Sequence, residues 1–162
     1  MSVSRSLGPH LPDSLLARLV APEPADRLGQ AIVLVTVDPY GRPHPALVSY
    51  AELLALDPAR VRLALHAGTR SATHLRETGR ATLVFADAEL ALYVKADAVP
   101  LPVAPGHGDL ARFELHVCDV LEDRAEGEEA GAGLLGGITF SWPGGPEAWA
   151  RHRARLREAL QA

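Results

Sequence analysis

Two hydrophobic patterns, separated by turn signals, run along this chain. Residues 31–37, AIVLVTV, form an unbroken run rich in β-branched side chains, which is typical of a strand buried on both faces. Residues 111–121, ARFELHVCDVL, alternate apolar with polar side chains, which indicates a strand with one face in the core. Four further segments have strand character, namely residues 42–56, 61–67, 80–87 and 91–99. The pattern therefore predicts a mainly β protein with six strands.

Short turns and proline positions indicate how these strands are connected. The tetrapeptides DPYG at 38–41 and DPAR at 57–60 are typical β-turns, and such short connections favour antiparallel hairpins. Pro43 and Pro45 cannot donate ladder hydrogen bonds, so they confine the strand that they begin to an edge of the sheet. Because little helix separates the six strands, we expect an antiparallel barrel that is closed or nearly closed.

Three helices are predicted around the strands of a single domain of 162 residues. Residues 13–20, DSLLARLV, place leucines on one face after an aspartate that can cap the helix start. A short helix is expected after Thr69, with its end at Gly79, a residue type favoured at helix C-termini. The third helix spans residues 146–161 and begins with a proline. Its apolar stripe consists of Trp149, Leu156 and Leu160.

The composition narrows the class of protein. Sixteen Lys and Arg against twenty Asp and Glu give a formal charge of -4, so no overall basic field is present to attract nucleic acid. With 48% hydrophobic and 22% charged residues, nothing in the chain calls for a membrane. Cys118 is the only cysteine, and the first thirty residues lack the basic and apolar segments of a signal peptide. We therefore expect a cytoplasmic protein.

The segment LHAGTRSATHLRETGR, residues 65–80, carries the candidate chemistry. Its helix opens with hydroxyls and an arginine but has no acid in the first turn, which suits a bound anion such as phosphate. If Thr69 caps the helix, the amides of Arg70 and Ser71 remain free, while Arg70, Ser71 and Thr73 offer side-chain donors. The same pattern also fits an ordinary threonine cap followed by a solvated arginine.

The order of elements around this segment resembles the flavin-binding split β-barrel family that includes pyridoxamine 5'-phosphate oxidase. Residues 69–71, Thr-Arg-Ser, stand where the family has a Ser-Arg-Lys motif, and Leu75 stands at the leucine of the following helix. Residues 80–85, RATLVF, match the strand that begins with arginine and is rich in aliphatic residues. The resemblance covers roughly residues 28–121.

The resemblance implies a cofactor, a partner and further site residues. It implies FMN, held at the interface of a homodimer, with Pro45 to Tyr50 along the flavin ring and ribityl chain. The cofactor-binding residues so implied are Leu47, Val48, Ser49, Leu65, His66, Thr69, Arg70, Ser71 and Thr73. The expected function is that of an FMN-dependent oxidoreductase on an unidentified small molecule. The alternative is a non-catalytic module that binds a flavin, a deazaflavin or haem.

Two positions depart from the family pattern. Ser71 replaces the phosphate-binding lysine, which removes one positive charge, and Ala91 stands about where the oxidase has a glutamine near the flavin. The residues that hold pyridoxal phosphate in the oxidase have no counterpart near the C-terminus, so vitamin B6 oxidation is not expected. The seven histidines lack the pair spacing of a zinc site, and no metal site is predicted.

Overall fold

The computed structural model describes residues 2–20 and 29–162. The strands are β1 (Ser2–Gly8), β2 (Gln30–Val37), β3 (Pro43–Ser49), β4 (Leu53–Asp57), β5 (Arg60–His66), β6 (Arg80–Ala86), β7 (Ala91–Leu101), β8 (Leu110–Ala125) and β9 (Ile138–Thr139). The helices are α1 (Asp13–Val20), α2 (Arg70–Thr78) and α3 (Gly145–Gln161). All three predicted helices are therefore confirmed, with boundaries that agree to within one residue where they were predicted.

The strands form one antiparallel sheet in the order β3-β2-β6-β7-β8-β5-β4, with β1 paired to β8 and β9 paired to β2. The mainly β fold is confirmed, and β3 lies at an edge as its prolines predicted. The barrel, which was expected to be closed or nearly closed, is not closed, because the sheet ends at β3 and β4 within the described residues. The count of six strands is also wrong, since the sheet has nine.

The additional strands have physical reasons that local pattern does not carry. Strand β1 has little hydrophobic periodicity and is held by the far half of β8, which at 16 residues is long enough to pair first with β5 and then with β1. Residues 42–56 are divided into β3 and β4 by a 3₁₀ turn at Tyr50–Glu52. In that turn Glu52 accepts hydrogen bonds from the amide and the hydroxyl of Ser49, and this capping box ends β3.

The main core lies between the sheet, α1 and α2. Leu15 and Leu19 of α1 and Leu75 of α2 are almost fully buried, together with Phe85 and Phe113 of the sheet. Burying each such side chain contributes about 1.5–3 kcal/mol relative to leaving it in water. None of the helices within residues 2–20 and 29–162 is long and apolar enough to cross a bilayer.

Helix α3 covers a second, smaller cluster on the outside of β4, β5 and β8. The predicted stripe of Trp149, Leu156 and Leu160 is confirmed, because all three residues are buried. Leu156 and Leu160 pack with Leu54, Ala64 and Leu110 of the sheet. The end of the helix is fixed by Arg62, whose Nη1 donates a 2.7 Å hydrogen bond to the carbonyl of Leu160. This packing brings the C-terminal segment over the end of β3.

Candidate functional site

The start of α2 has the free donors that the sequence predicted. Thr69 caps the helix, since its Oγ1 accepts a 3.2 Å hydrogen bond from the amide of Ala72, and no acid lies in the first turn. The Arg70 side chain is exposed, and no carboxylate of residues 2–20 and 29–162 pairs with it. Among those same residues the amides of Arg70 and Ser71 also lack an acceptor. Their N–H groups therefore add to the positive end of the helix dipole.

The helix start is tied directly to the end of β5. The amide of Thr69 donates to the carbonyl of His66 at 3.1 Å, and its hydroxyl donates to the same oxygen at 3.0 Å. At the other end of α2, Gly79 adopts a left-handed conformation with φ of 63°, as expected of a C-terminal cap, and donates to Leu75. The start of α2 is therefore held directly beside His66.

The side chain of His66 lines a cavity of about 340 Å³, which we call the aromatic cavity. One wall is the end of β3, formed by Leu47, Val48 and Ser49. The opposite wall comes from the C-terminal segment and consists of Phe140, Trp142, Trp149 and His152. The volume falls at the lower end of the roughly 300–1,000 Å³ typical of pockets for small molecules and cofactors.

The rings of the aromatic wall pack on one another. Trp142 and His152 are stacked, with ring centroids 4.5 Å apart and planes 23° from parallel, and Trp142 lies 4.8 Å from Trp149. The segment is held in place by the amide of Phe140, which donates a 2.7 Å hydrogen bond to the carbonyl of Gly29. Position 29 requires glycine, because its φ is +81° and a Cβ would lie 2.9 Å from the carbonyl oxygen of Phe140.

Two charged residues that line the aromatic cavity, Arg155 and Asp109, neutralise one another. Arg155 forms an ion pair with Asp109, and the hydrogen bond from Arg155 lowers the pKa of the Asp109 carboxyl. Burial and the neighbouring Arg155 lower the pKa of His152 and so favour its neutral form, although Asp109 opposes this. The walls are therefore largely apolar.

A partly buried acid, Glu52, lies in the turn after β3 and also lines the aromatic cavity. Burial raises the pKa of Glu52, and the hydrogen bonds from the amide and hydroxyl of Ser49 oppose the shift. Those bonds engage both polar groups of Ser49, so the serine is fixed by the turn that follows it. The cavity wall at β3 is thus rigid before any ligand binds.

The structure brings some of the sequence-predicted site residues together and separates others. Leu47, Val48, Ser49 and His66 line the aromatic cavity, whereas Leu65 is buried in the core. The residues on α2 and its cap lie outside the cavity lining, namely Thr69, Arg70, Ser71 and Thr73. Within that group Ser71 is buried, in contrast to its expected outward position, and the Thr73 hydroxyl donates to the Thr69 carbonyl within the helix. Their role in binding stays a prediction.

Sequence reasoning missed the C-terminal half of the cavity. Trp142, Trp149, His152 and Arg155 have no motif to single them out, and the sequence predicted only that Trp149 lies on the apolar stripe of α3. The available signal was the repeated placement of aromatic and basic residues on one face of α3, where positions 149, 152, 155 and 156 follow helical spacing. Within residues 2–20 and 29–162 no group of three or more His, Cys, Asp or Glu residues could hold a metal ion.

Comparison with known proteins identifies the family. The profile of the pyridoxamine 5'-phosphate oxidase family matches residues 28–128, which is most of the chain. The protein YclD of Bacillus subtilis strain 168 is 32% identical over 106 residues, which cover 65% of this chain and 69% of YclD. This protein therefore belongs to the pyridoxamine 5'-phosphate oxidase family.

Solved structures share the fold at low sequence identity. A candidate pyridoxamine 5'-phosphate oxidase from Lactobacillus delbrueckii has a TM-score of 0.57 at 16% identity, covering 72% of this chain and 98% of its own. HutZ, a haem storage protein from Vibrio cholerae, has a TM-score of 0.50 at 14% identity, covering 62% and 89% respectively. These similarities establish the split-barrel architecture and leave the ligand open.

Proposed function

We propose that the protein binds FMN and acts as a flavin-dependent oxidoreductase on a small molecule. The observation that carries the proposal is the junction of Thr69 with His66, because it joins an anion-binding helix start to the aromatic cavity. FMN has the matching chemistry, with a planar ring system at one end and a phosphate dianion at the other. Membership of the family supports the same cofactor.

The residues fit the two ends of FMN. The amides of Arg70 and Ser71 and the Arg70 guanidinium would hold the phosphate, since all of these donors lack a partner among the described residues. The ring would lie in the aromatic cavity between the end of β3 and Trp142. When bound, FMN supplies hydride or electron transfer, while these residues bind it, orient it and exclude water.

Arg70 bears a larger share of the phosphate binding than its counterpart in the family pattern would. Ser71 stands at the position of a lysine in the motif that the chain resembles, and Ser71 is buried. The Arg70 side chain is therefore the one full positive charge that residues 69–71 provide. We expect FMN affinity to depend steeply on this single side chain.

We extend the proposal to a homodimer with the cofactor at the interface. Strand β3 ends the sheet, so its outer edge is unpaired within the described residues, and Leu47 on it is 60% exposed. An exposed edge that also borders a cavity suits coverage by a second copy. Sedimentation equilibrium with and without FMN tests this part, and a strictly monomeric FMN-saturated protein would overturn it.

Titration of flavin-free protein with FMN tests the cofactor. We expect a saturable change in flavin absorbance and quenching of its fluorescence with one FMN per chain. Riboflavin, which lacks the phosphate, should bind more weakly because it cannot use Arg70. A protein that is colourless as purified and gives no saturable FMN signal would refute the proposal.

The rival function is a non-catalytic module that binds a flavin, a deazaflavin or haem. HutZ, which shares the fold, is a haem storage protein, and the imidazoles of His66 and His152 line the cavity. The absorption spectrum separates the three ligands, because their bands differ. Anaerobic addition of NADH or NADPH then separates enzyme from module, since an oxidoreductase reduces its bound flavin and passes the electrons to an acceptor.

A further inference from the structure

A second cavity of about 250 Å³ lies between α2, the start of β8 and the loop that precedes β8. We call it the arginine cavity, and its wall includes Ala67, Arg76, Val103, Gly108, Arg112 and Phe113. No acidic residue is part of that wall. The cavity shares Leu110 with the aromatic cavity but contains none of the residues proposed to hold FMN.

Arg112 is a buried cation without a carboxylate partner. The residue is only 7% exposed, and its one described hydrogen bond runs from Nη1 to the carbonyl of Pro102 at 3.0 Å. Its Nε is fully buried and has no acceptor among residues 2–20 and 29–162. No described residue accepts a hydrogen bond from Nη2 either. Nη2 therefore remains a charged donor that a carboxylate or phosphate oxygen can use, whereas Nε is shielded by the chain itself.

The electrostatic surroundings make this arrangement costly without a ligand. Burial lowers the pKa of Arg112, and repulsion from Arg62 lowers it further. Arg76 adds a third guanidinium, which reaches only the carbonyl of Ala67 at 3.5 Å and has no ion pair within the described residues. Buried charges in proteins are normally paired, so the unused Nη2 donor of Arg112 points to a partner that is not part of this chain.

We propose that the arginine cavity is a binding site for the phosphate or carboxylate group of a small ligand. Arg112 holds the anion through Nη2, and Arg76 closes over it from the side of α2. The apolar wall at Val103 and Phe113 contacts the uncharged part of the ligand. The site does not depend on the binding of FMN in the neighbouring cavity.

Inorganic phosphate added to flavin-free protein tests the site. We expect phosphate to raise the melting temperature in a saturable way, while sodium chloride at the same ionic strength does not. Arg112→Gln should weaken phosphate binding about tenfold or more, because it removes a charged hydrogen-bond donor. Arg76→Gln should weaken binding about threefold, as expected of a more exposed charge. Acetate in place of phosphate shows whether the site prefers a carboxylate.

Matched variants keep the result interpretable. Arg5→Gln removes the same charge from an exposed position on β1 outside both cavities and should leave phosphate binding unchanged. Arg112→Lys serves if Arg112→Gln does not fold, since it retains the charge and removes the guanidinium Nη2 donor, so affinity should still fall. Equal stabilisation by phosphate and chloride, or phosphate binding that survives both Arg112 variants, would overturn the proposal.

The source of the anion is distinguished by comparing FMN with riboflavin. If the phosphate of FMN itself occupies the arginine cavity, Arg112→Gln lowers the affinity for FMN and leaves riboflavin unaffected. If a separate ligand provides the anion, Arg112→Gln leaves both flavins unaffected while phosphate binding is lost. The first outcome supports an anion site at Arg112 and overturns the placement of the FMN phosphate at Arg70, whereas the second supports both assignments.

Discussion

Two arginines of this protein are equally buried but differ in their hydrogen-bond and ion-pair partners. Arg18 on α1 and Arg112 on β8 are each 7% exposed. Arg18 donates to Asp87 at 2.6 Å, to Glu89 at 2.5 Å and to the hydroxyl of Tyr50 at 3.3 Å. Arg112 donates to one backbone carbonyl and lies near another arginine.

The comparison separates structural charge from charge that is available to a ligand. The Arg18 network is satisfied within the chain, and it fixes α1 to the turn between β6 and β7. Arg112 gains no comparable partner, so its burial does not serve the fold in the same way. The same distinction applies to exposed groups, because Arg155 is neutralised by Asp109 while Arg70 has no acid beside it among the described residues. The proposed ligand sites are located at Arg70 and Arg112, the two compared arginines that have no carboxylate partner among the described residues.

The largest expected effect is the loss of folding stability when the hydrogen-bond and ion-pair network of Arg18 is broken. Arg18→Met should lower the free energy of unfolding by about 3 kcal/mol, because it leaves the buried carboxylate of Asp87 without its cation. The amides of Glu89 and Leu90 still donate to Asp87, which places the loss at the lower end of the usual range. Urea denaturation followed by circular dichroism measures the change.

Arg112→Met is the matched control for that experiment. It removes an equally buried guanidinium that has no carboxylate partner, so the free energy of unfolding should change by less than about 1 kcal/mol or increase. If both variants lost the same stability, the distinction between the two arginines would be wrong.

The next effect concerns Arg70, whose charge is unpaired and exposed. Arg70→Ala should weaken FMN binding by about 10- to 100-fold, since a hydrogen bond to a charged group contributes about 1.5–3 kcal/mol. The melting temperature of the flavin-free protein should stay the same, because the side chain contacts no described partner. Arg5→Ala is the control of equal charge, and unchanged FMN affinity in Arg70→Ala would remove α2 from the site.

A smaller effect on FMN affinity is expected from Trp142, an uncharged side chain that is proposed to contact the flavin ring. Trp142 is 37% exposed and stacks on His152, so Trp142→Ala removes ring surface without opening the core. FMN affinity should fall about 2- to 10-fold, as expected of an aromatic contact. Fluorescence titration detects this change, and riboflavin should lose affinity by the same factor because the phosphate is not involved.

The smallest effect comes from the exposed pair of Asp109 and Arg155. Arg155→Gln should raise the pKa of Asp109 towards its ordinary value, since the hydrogen bond from Arg155 is the largest cause of its lowering. A carboxyl with a lowered folded pKa stabilises the protein above its unfolded pKa of about 3.9 and loses that stabilisation as the pH falls. The variant should therefore show a shallower loss of stability in acid. Titration of the carboxyl carbon by NMR follows the pKa directly.

Local chemistry predicted the parts of the fold that depend on neighbouring residues. The Thr69 cap and the Gly79 end of α2 follow from backbone preferences that act within a few positions. The edge position of β3 follows from Pro43 and Pro45, which cannot donate to a second neighbour. Each of these features needs no knowledge of distant contacts.

The features of the fold and site that could not be predicted from the sequence depend on long-range packing. Strand β1 forms because β8 is long enough to pair with it, and the strands do not close because β3 and β4 remain at opposite ends of the sheet. The aromatic cavity depends on the C-terminal segment packing across the sheet, which brings Trp142 to the same cavity as residues 47–49. No local pattern records that contact, so half of the candidate site was absent from the sequence prediction.

A crystal structure of the protein soaked with FMN tests the central claim most directly. We predict the flavin ring in the aromatic cavity, between the end of β3 and Trp142, with the phosphate within hydrogen-bond distance of the Arg70 guanidinium and of the amides of Arg70 and Ser71. An empty cavity in a crystal that contains excess FMN would contradict the account. A bound FMN whose phosphate lies away from the start of α2 would contradict it equally.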